Sequence, residues 1–100
     1  MKYTIKPSNR FKKELNKIIK RGYDKTLIME VISLLANGVE LPQKNKDHAL
    51  KGDYNGYREC HITPDWLLIY QIDNNDLFLY LTRTGSHSDL FWISKKQKKG

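Results

Sequence analysis

The segment that most constrains the fold is residues 66–72, whose sequence WLLIYQI is almost continuously apolar. A strand with apolar side chains on both sides is typical of the centre of a sheet, where both faces are buried. Residues 63–65 (TPD) and 73–76 (DNND) are rich in turn-forming types and predict tight turns at its two ends. The chain is therefore expected to fold around one central strand.

Neighbouring strands are predicted on either side of this segment. Residues 57–62 (YRECHI) alternate between two faces, with Glu59 and His61 on the face opposite Cys60. Residues 77–82 (LFLYLT) place their leucines on one face and predict the next strand. Together with the central segment they form an antiparallel meander.

The first part of the chain predicts a short strand and two helices. Residues 2–6 (KYTIK) alternate as a strand does. Ser8 is a suitable N-cap for a helix that ends at Gly22, and Asp24 is a suitable N-cap for a second helix that ends at residues 37–38 (NG). The first helix carries one apolar stripe at helical spacing, formed by Phe11, Leu15, Ile18 and Ile19.

The element order β-α-α-β-β-β predicts an α+β fold, with a helical hairpin packed on one face of an antiparallel sheet. Residues 39–56 form a long polar connection, and connections of this length are often functional. The other face is expected to be partly open, with this connection and residues 83–94, which have no clear period, around it. A ligand is expected there. Residues 1–94 are predicted to form a single domain, and residues 95–100 a basic tail.

The charge of the chain is strongly positive and unevenly distributed. The net charge is +7, of which residues 2–25 contribute +7 and the tail 95–100 contributes +4, while residues 26–94 carry −4. Such a field attracts polyanions such as nucleic acid, including ribosomal RNA, or an acidic protein partner. A solubilising helix face with a lysine-rich tail would give the same count.

Several classes of protein are disfavoured by composition. No apolar run approaches the roughly 20 residues that a bilayer span needs, and the N-terminus lacks the apolar core of a signal peptide. Cys60 is the single cysteine, so an internal disulfide is excluded, and a small buried side chain is expected there. We expect a cytoplasmic protein with no membrane association.

The three histidines, His48, His61 and His87, all lie in the second half of the chain. Asp65 is close to His61 across the turn at residues 63–65, and His87 follows the last strand. In an antiparallel meander these positions can converge along one face. Imidazoles suit proton transfer near neutral pH, and a cation can stabilise a phosphorane-like transition state. This set suffices for RNA cleavage by attack of the ribose 2′-hydroxyl, which needs no metal.

Each of these residues also has an ordinary structural interpretation. A histidine at a strand end or in a loop is commonly a surface residue, and Asp65 is a type that turns prefer. Arg83 would then simply pair with Asp89 or Glu59. A zinc site is disfavoured because the three histidines lack local ligand spacing such as H-x₃-H.

Four stretches of the second half form a specific combination. They are DHALKG at 47–52, GYRECHI at 56–62, PDWLLIY at 64–70 and RTGSHSDLF at 83–91, and three of them contain a histidine. In this order they resemble the YafQ branch of the RelE/ParE superfamily of bacterial toxins. The first half is similar only in its strand–helix–helix pattern.

The resemblance implies a RelE-like fold, which agrees with the predicted element order. It also implies an endoribonuclease, an mRNA interferase that cleaves mRNA in the ribosomal A site. In that reaction the 2′-hydroxyl attacks the adjacent phosphate and leaves a cyclic phosphate and a 5′-hydroxyl. The resemblance implies no cofactor and no metal.

Matched residue by residue, His48, His61, Asp65 and His87 take the places of the YafQ-type catalytic set. The resemblance implies that His87 is the main proton-transfer group and the acid that protonates the leaving oxygen. His61 and His48 are then candidates for the base or for contact with phosphate, and Asp65 would orient or activate one of them.

Three further residues match positions that contact the substrate in this family. Arg83 matches a phosphate-stabilising position, and Phe91 matches an aromatic residue that packs on a base. Glu59 stands where the family has a carboxylate.

The resemblance also implies the partners. An antitoxin of the DinJ/RelB type, encoded beside the toxin, would wrap it with its C-terminal segment, and the basic first helix would hold ribosomal RNA. The toxin alone would be a monomer, and its antitoxin complex a heterotetramer or larger. This chain departs from the family by continuing through residues 92–100, where Trp92 and Ile93 are expected to extend the core.

Two other functions remain open at this point. A RelE/ParE-fold toxin can act by binding a protein target such as gyrase, and a basic domain of this size can be an RNA-binding module without catalysis. Neither needs the histidine-bearing motifs, so substitution of His87 by alanine would discriminate between them and a nuclease.

Overall fold

Two helices lie on one face of a five-stranded sheet in the structure, a computed structural model that describes residues 1–93. The basic tail predicted at residues 95–100 lies outside the described residues. The elements, in chain order, are β1 (Thr4–Pro7), α1 (Asn9–Lys20), α2 (Lys25–Ala36), β2 (His48–Ala49), β3 (Arg58–Thr63), β4 (Trp66–Asp73) and β5 (Phe78–Ser86).

The sheet has the strand order β1-β5-β4-β3-β2. Strands β3 to β5 pair antiparallel, as predicted. The unpredicted strand β2 pairs antiparallel with β3, whereas β1 pairs parallel with β5. The predicted α+β class is therefore confirmed, with a mixed rather than a purely antiparallel sheet. Alternation along residues 2–6 indicates a strand but not its partner, because pairing with β5 joins the two ends of the domain.

Both helices begin at the predicted caps. The side chain of Ser8 accepts a hydrogen bond from the backbone N–H of Phe11 at 2.9 Å. The side chain of Asp24 accepts one from the backbone N–H of Thr26, also at 2.9 Å. Each cap satisfies a backbone donor that the first turn leaves unpaired.

Strand β4 is buried on both of its faces, which confirms the prediction from its apolar run. Leu68 and Tyr70 pack under the helices in the larger core, and Leu67 and Ile69 point to the other face. There they form a second, smaller core with residues that follow β2 and β5, namely Leu50, Leu90 and Ile93. The face without helices is thus half covered by the long connection and the C-terminal segment.

Two segments are more ordered than their sequence predicts. The connection at residues 39–56 contains β2 and two short 3-10 turns, Gln43–Asn45 and Gly52–Tyr54. Strand β5 continues to Ser86, four residues beyond its predicted end at residue 82. His48 therefore lies in a short strand rather than a loop.

A β-bulge in β5 explains why residues after 82 show no clear period. Tyr70 pairs with Leu81, but its neighbour Ile69 pairs with Arg83, so Thr82 is the extra residue. After a bulge of this kind, each later side chain points to the sheet face opposite the one that regular alternation would give. As a result Arg83 points to the face without helices, while Thr84 accepts a hydrogen bond from the indole N–H of the core residue Trp66 at 2.8 Å.

Within residues 1–93, no helix is both long enough and apolar enough to cross a membrane.

Candidate active site

The register of the sheet gathers most of the predicted site residues on the face without helices. Directly paired residues point to the same face. One row across the strands runs from His48 through Glu59 and Ile69 to Arg83. The next row contains His61, which pairs with Leu67, whose partner on β5 is a glycine.

His87 and Asp65 form a close pair at the end of this face. Nδ1 of His87 lies 3.3 Å from Oδ1 of Asp65, and the same oxygen lies 3.4 Å from the backbone nitrogen of His87. Both side chains are about half exposed. A carboxylate at Nδ1 favours the tautomer with the proton on that nitrogen, which leaves Nε2 for a substrate.

His61 lies beside this pair. The centroids of the His61 and His87 rings are 5.5 Å apart. Burial lowers the pKa of His61, although the nearby carboxylate of Glu59 acts in the opposite direction. The side-chain amide of Asn45 donates a hydrogen bond to the backbone carbonyl of His61 at 2.7 Å and so anchors the strand at this residue. His61 is therefore held as a neutral imidazole at pH 7.

The turn between α1 and α2 positions Asp65. The hydroxyl of Tyr23 donates a hydrogen bond to Oδ2 of Asp65 at 3.1 Å, and its ring packs edge-on against Trp66 with centroids 5.5 Å apart. Desolvation acts to raise the pKa of Asp65, but the hydrogen bonds from Tyr23 and His87 outweigh it and lower the pKa. Asp65 is thus ionised and fixed from two sides.

A capping box fixes the backbone at His87. The N–H of Ser86 donates to Oδ2 of Asp89 at 2.8 Å, and the N–H of Asp89 lies 3.2 Å from the hydroxyl of Ser86. Arg21 donates to the same carboxylate oxygen at 2.5 Å. Its hydrogen bond is the main cause of the lowered pKa of Asp89. A Cβ at Gly85 would lie 2.8 Å from the Cβ of Asp89, so only glycine lets this turn close.

His48 faces Glu59 across strands β2 and β3. Its Nε2 lies 3.6 Å from Oε1 of Glu59, and its Nδ1 lies 2.8 Å from the carbonyl oxygen of Lys46. Glu59 is only 6% exposed, and within residues 1–93 its Oε2 has no hydrogen-bond partner. A buried carboxylate oxygen of this kind is costly and is available to a donor on the substrate.

Arg83 has a different partner from those expected at the sequence level. Instead of Asp89 or Glu59, it binds Glu14 of α1 through Nε and Nη2 at 2.7–3.0 Å. Oε1 of Glu14 also lies 3.2 Å from the backbone nitrogen of Thr84, at the edge of β5 that β1 leaves uncovered. Arg83 is only 8% exposed, and it is therefore part of the scaffold as well as a wall of the open face.

Phe91 follows the turn and is 60% exposed, so its ring is free to contact a ligand.

Sequence reasoning missed three residues that hold the site together, namely Tyr23, Arg21 and Asn45. Each contacts a partner 16 to 68 residues away, and no local sequence pattern predicts such contacts.

Within residues 1–93, no group of three or more histidine, cysteine, aspartate or glutamate side chains is arranged to hold a metal ion.

The sequence and the fold match one class of bacterial protein. Residues 3–92 match the family model described as the bacterial toxin of type II toxin–antitoxin systems, YafQ. The chain therefore belongs to the YafQ toxin family.

Individual relatives agree with this assignment. The chain is 39% identical over 88 residues to the mRNA interferase toxin YafQ of Escherichia coli K12. This alignment covers 87% of this chain and 94% of that protein. The crystal structure of the E. coli DinJ–YafQ complex matches with a TM-score of 0.81 at 37% identity, covering 89% of this chain and 98% of the other. A metal-bound toxin from Helicobacter pylori matches with a TM-score of 0.83 at 46% identity, covering 89% and 99%.

Proposed function

We propose that this chain is the toxin of a type II toxin–antitoxin pair and an endoribonuclease that cleaves mRNA in the ribosomal A site. The observation that carries the proposal is the cluster of His61, Asp65 and His87, which combines a neutral imidazole with a second imidazole oriented by an ionised carboxylate. The name mRNA interferase of the E. coli relative supports the reaction class.

The geometry supports a division of roles between the two imidazoles. In its imidazolium form, His87 donates the proton on Nε2 to the leaving 5′-oxygen, while Asp65 accepts a hydrogen bond from Nδ1. His61 is neutral at pH 7 because burial lowers its pKa, so it is suited to remove the proton of the 2′-hydroxyl. The bond from the 2′-oxygen to phosphorus forms as the bond to the 5′-oxygen breaks, which leaves a cyclic phosphate.

The neighbouring row supplies contacts to the phosphate and the ribose. His48 contacts the phosphate when protonated, or shares the role of base with Glu59, whose free Oε2 can accept a hydroxyl proton or hydrogen bond. Arg83 contributes positive charge from the same row, although Glu14 already neutralises part of it. The exposed ring of Phe91 packs on a base.

The basic stretch at residues 2–25 would contact ribosomal RNA, and the cognate antitoxin would cover the open face. The DinJ–YafQ complexes among the structural relatives support a partner of that kind.

The test is to incubate the purified chain with a defined mRNA, with and without programmed ribosomes, and to map the ends by primer extension. We expect discrete A-site cuts in the ribosomal sample only. We expect the cleavage rate of His87→Ala to be at least about 100-fold lower than that of the wild type. Full toxicity of His87→Ala in cells would contradict a catalytic role. Growth arrest by the wild type without any RNA cleavage would indicate a protein target instead.

A further inference from the structure

An aromatic cleft adjoins Arg83, and none of its other lining residues has a role in the chemistry described above. It has a volume of about 460 Å³, within the range of small-molecule sites. Its walls come from the start of α1, from β5 and from the segments that cover the open face: Ser8, Arg10, Asp53, Tyr54, Tyr57, Thr82, Arg83 and Trp92.

Three rings and a guanidinium are packed together in this cleft. The centroid of Tyr54 lies 5.9 Å from that of Tyr57 and 5.8 Å from that of Trp92. Cζ of Arg83 lies 5.4 Å from the centroid of Trp92, so the guanidinium supports the back of the indole. Trp92 is nevertheless 43% exposed, which leaves part of its ring available for stacking.

The cleft also has an accessible cation. Within residues 1–93, Arg10 takes part in no ion pair and is exposed, whereas the charge of Arg83 is already paired with Glu14. Asp53 on the opposite loop adds a negative charge, so the cleft does not attract anions over its whole surface. A ligand with an aromatic body and one phosphate near Arg10 fits this arrangement.

The position of the cleft relates it to the histidines. Arg83, in its wall, lies two residues before Gly85, which is in the row of His61. Two residues of a strand span about 7 Å. His61 lies two strands, or about 10 Å, across the sheet from Gly85, so the wall of the cleft at Arg83 is about 12 Å from His61. A chain whose scissile phosphate sits at His61 and His87 would therefore place a base at the cleft that is one or two nucleotides away.

We propose that this cleft binds the base of a nucleotide one or two positions from the scissile phosphate. The base stacks on Trp92 and Tyr57 while its phosphate pairs with Arg10. The inference rests on the proposed RNA-cleaving function and adds a binding subsite to it. RNA is favoured over a peptide because aromatic rings beside an accessible arginine are the usual means of binding unpaired bases.

The experiment measures binding of the full chain to a hexa-adenylate whose 2′-hydroxyls are methylated, which prevents cleavage. The readout is the fluorescence of Trp92, since the other tryptophan, Trp66, is fully buried. We expect quenching on binding in the wild type. We expect Trp92→Ala to bind at least about fivefold more weakly, and Trp92→Phe to stay within about threefold of wild type when followed by a label on the RNA.

The arginine is tested with a matched charge control. Arg10→Ala is expected to weaken binding and to lower the slope of log affinity against log salt by about 0.7. Lys12→Ala removes the same charge from the same helix, but Lys12 lies about 200° around the helix axis from Arg10. Its proposed contact is with ribosomal RNA, which is absent from this assay, so the slope is expected to stay unchanged. Equal effects of the two substitutions would overturn the proposed phosphate contact.

A probe-side measurement avoids any folding defect of the Trp92 variants. The probes are hexamers that each lack the base of one nucleotide, at a different position in each probe. We expect the probe that lacks the base bound in the cleft to quench wild-type Trp92 less than the others do. Equal quenching by every abasic probe would overturn base stacking. Quenching by the cognate antitoxin but by no oligonucleotide would indicate that the cleft is a protein-docking surface. That result would also overturn the proposed base-binding site.

Failure of this inference is distinguishable from failure of the proposed function. Ribosomal mRNA cleavage by the wild type, with unaltered binding in the Trp92 and Arg10 variants, would remove the subsite and leave the nuclease. Absence of ribosomal cleavage by the wild type would remove the nuclease itself.

Discussion

Tyr23 and Asp65 are joined by a hydrogen bond of 3.1 Å from the tyrosine hydroxyl to Oδ2, across 42 residues of sequence. The other oxygen of this carboxylate contacts His87 at 3.3 Å. The turn between the helices therefore reaches the candidate catalytic histidine through one intermediate carboxylate.

Tyr23→Phe is expected to reduce kcat of ribosome-dependent cleavage by about 3- to 10-fold with little change in KM. The substitution removes one hydrogen bond, worth about 0.5–1.5 kcal/mol, and keeps the ring against Trp66. Tyr80→Phe is a matched control, since no hydrogen bond among residues 1–93 involves the hydroxyl of Tyr80. A purely structural role for Tyr23 would lower the melting temperature and leave the rate per folded molecule unchanged.

The pH dependence of cleavage should follow His61. Burial lowers its pKa below the ordinary 6.5, so the neutral, proton-accepting form persists in mildly acidic solution. We expect the acidic limb of the pH–rate profile below pH 6.5, at the same midpoint as the His61 resonance in an NMR titration. An acidic limb that is unchanged in His61→Asn would assign the base to another group.

The same shift affects folding stability. Since the unfolded chain binds a proton at pH 6.5 more readily than the folded His61 does, stability is expected to fall as the pH drops from 6.5 to the lowered pKa of the folded state. Urea unfolding across this range, in the wild type and in His61→Asn, measures the difference.

The pair formed by Arg83 and Glu14 is expected to stabilise the fold independently of catalysis. Both side chains are largely buried, at 9% and 20% exposure, and loss of either partner leaves a poorly solvated charge. Arg83→Met should therefore cost about 2 kcal/mol or more, and Glu14→Gln a comparable amount. A double-mutant cycle by urea unfolding is expected to give a coupling above about 1 kcal/mol. A coupling near zero would mean that Arg83 is free to serve the substrate alone.

The capping carboxylate of Asp89 should make stability depend on pH in the acidic range. Its hydrogen bond from Arg21 is the main cause of a lowered pKa, so the contribution is present at neutral pH and is lost as the pH falls through that lowered value. Asp89→Asn is expected to be less stable than the wild type at pH 7 and equally stable once Asp89 is protonated. Asp76→Asn serves as the control, because no hydrogen bond or ion pair among residues 1–93 involves the Asp76 carboxylate. A pH-independent difference for Asp89→Asn would point to altered packing instead.

The local patterns of the chain were sufficient for both helices, for strands β1, β3 and β4, and for the fold class. The caps at Ser8 and Asp24 and the apolar run at residues 66–72 depend on neighbouring residues, and hydrogen bonding and burial follow from them directly. The positions of His61, Asp65 and His87 around one meander could be predicted for the same reason. Their roles remain predictions.

The tertiary structure alone decided the contacts that join distant segments. The parallel pairing of β1 with β5, the bulge at Thr82 and the choice of Glu14 as the partner of Arg83 leave no local signal. The bulge reversed the facing of Arg83, and period-2 alternation cannot reveal a residue that breaks it. These features depend on which surfaces meet when the sheet and the helices pack, and packing brings together side chains that are far apart in the sequence.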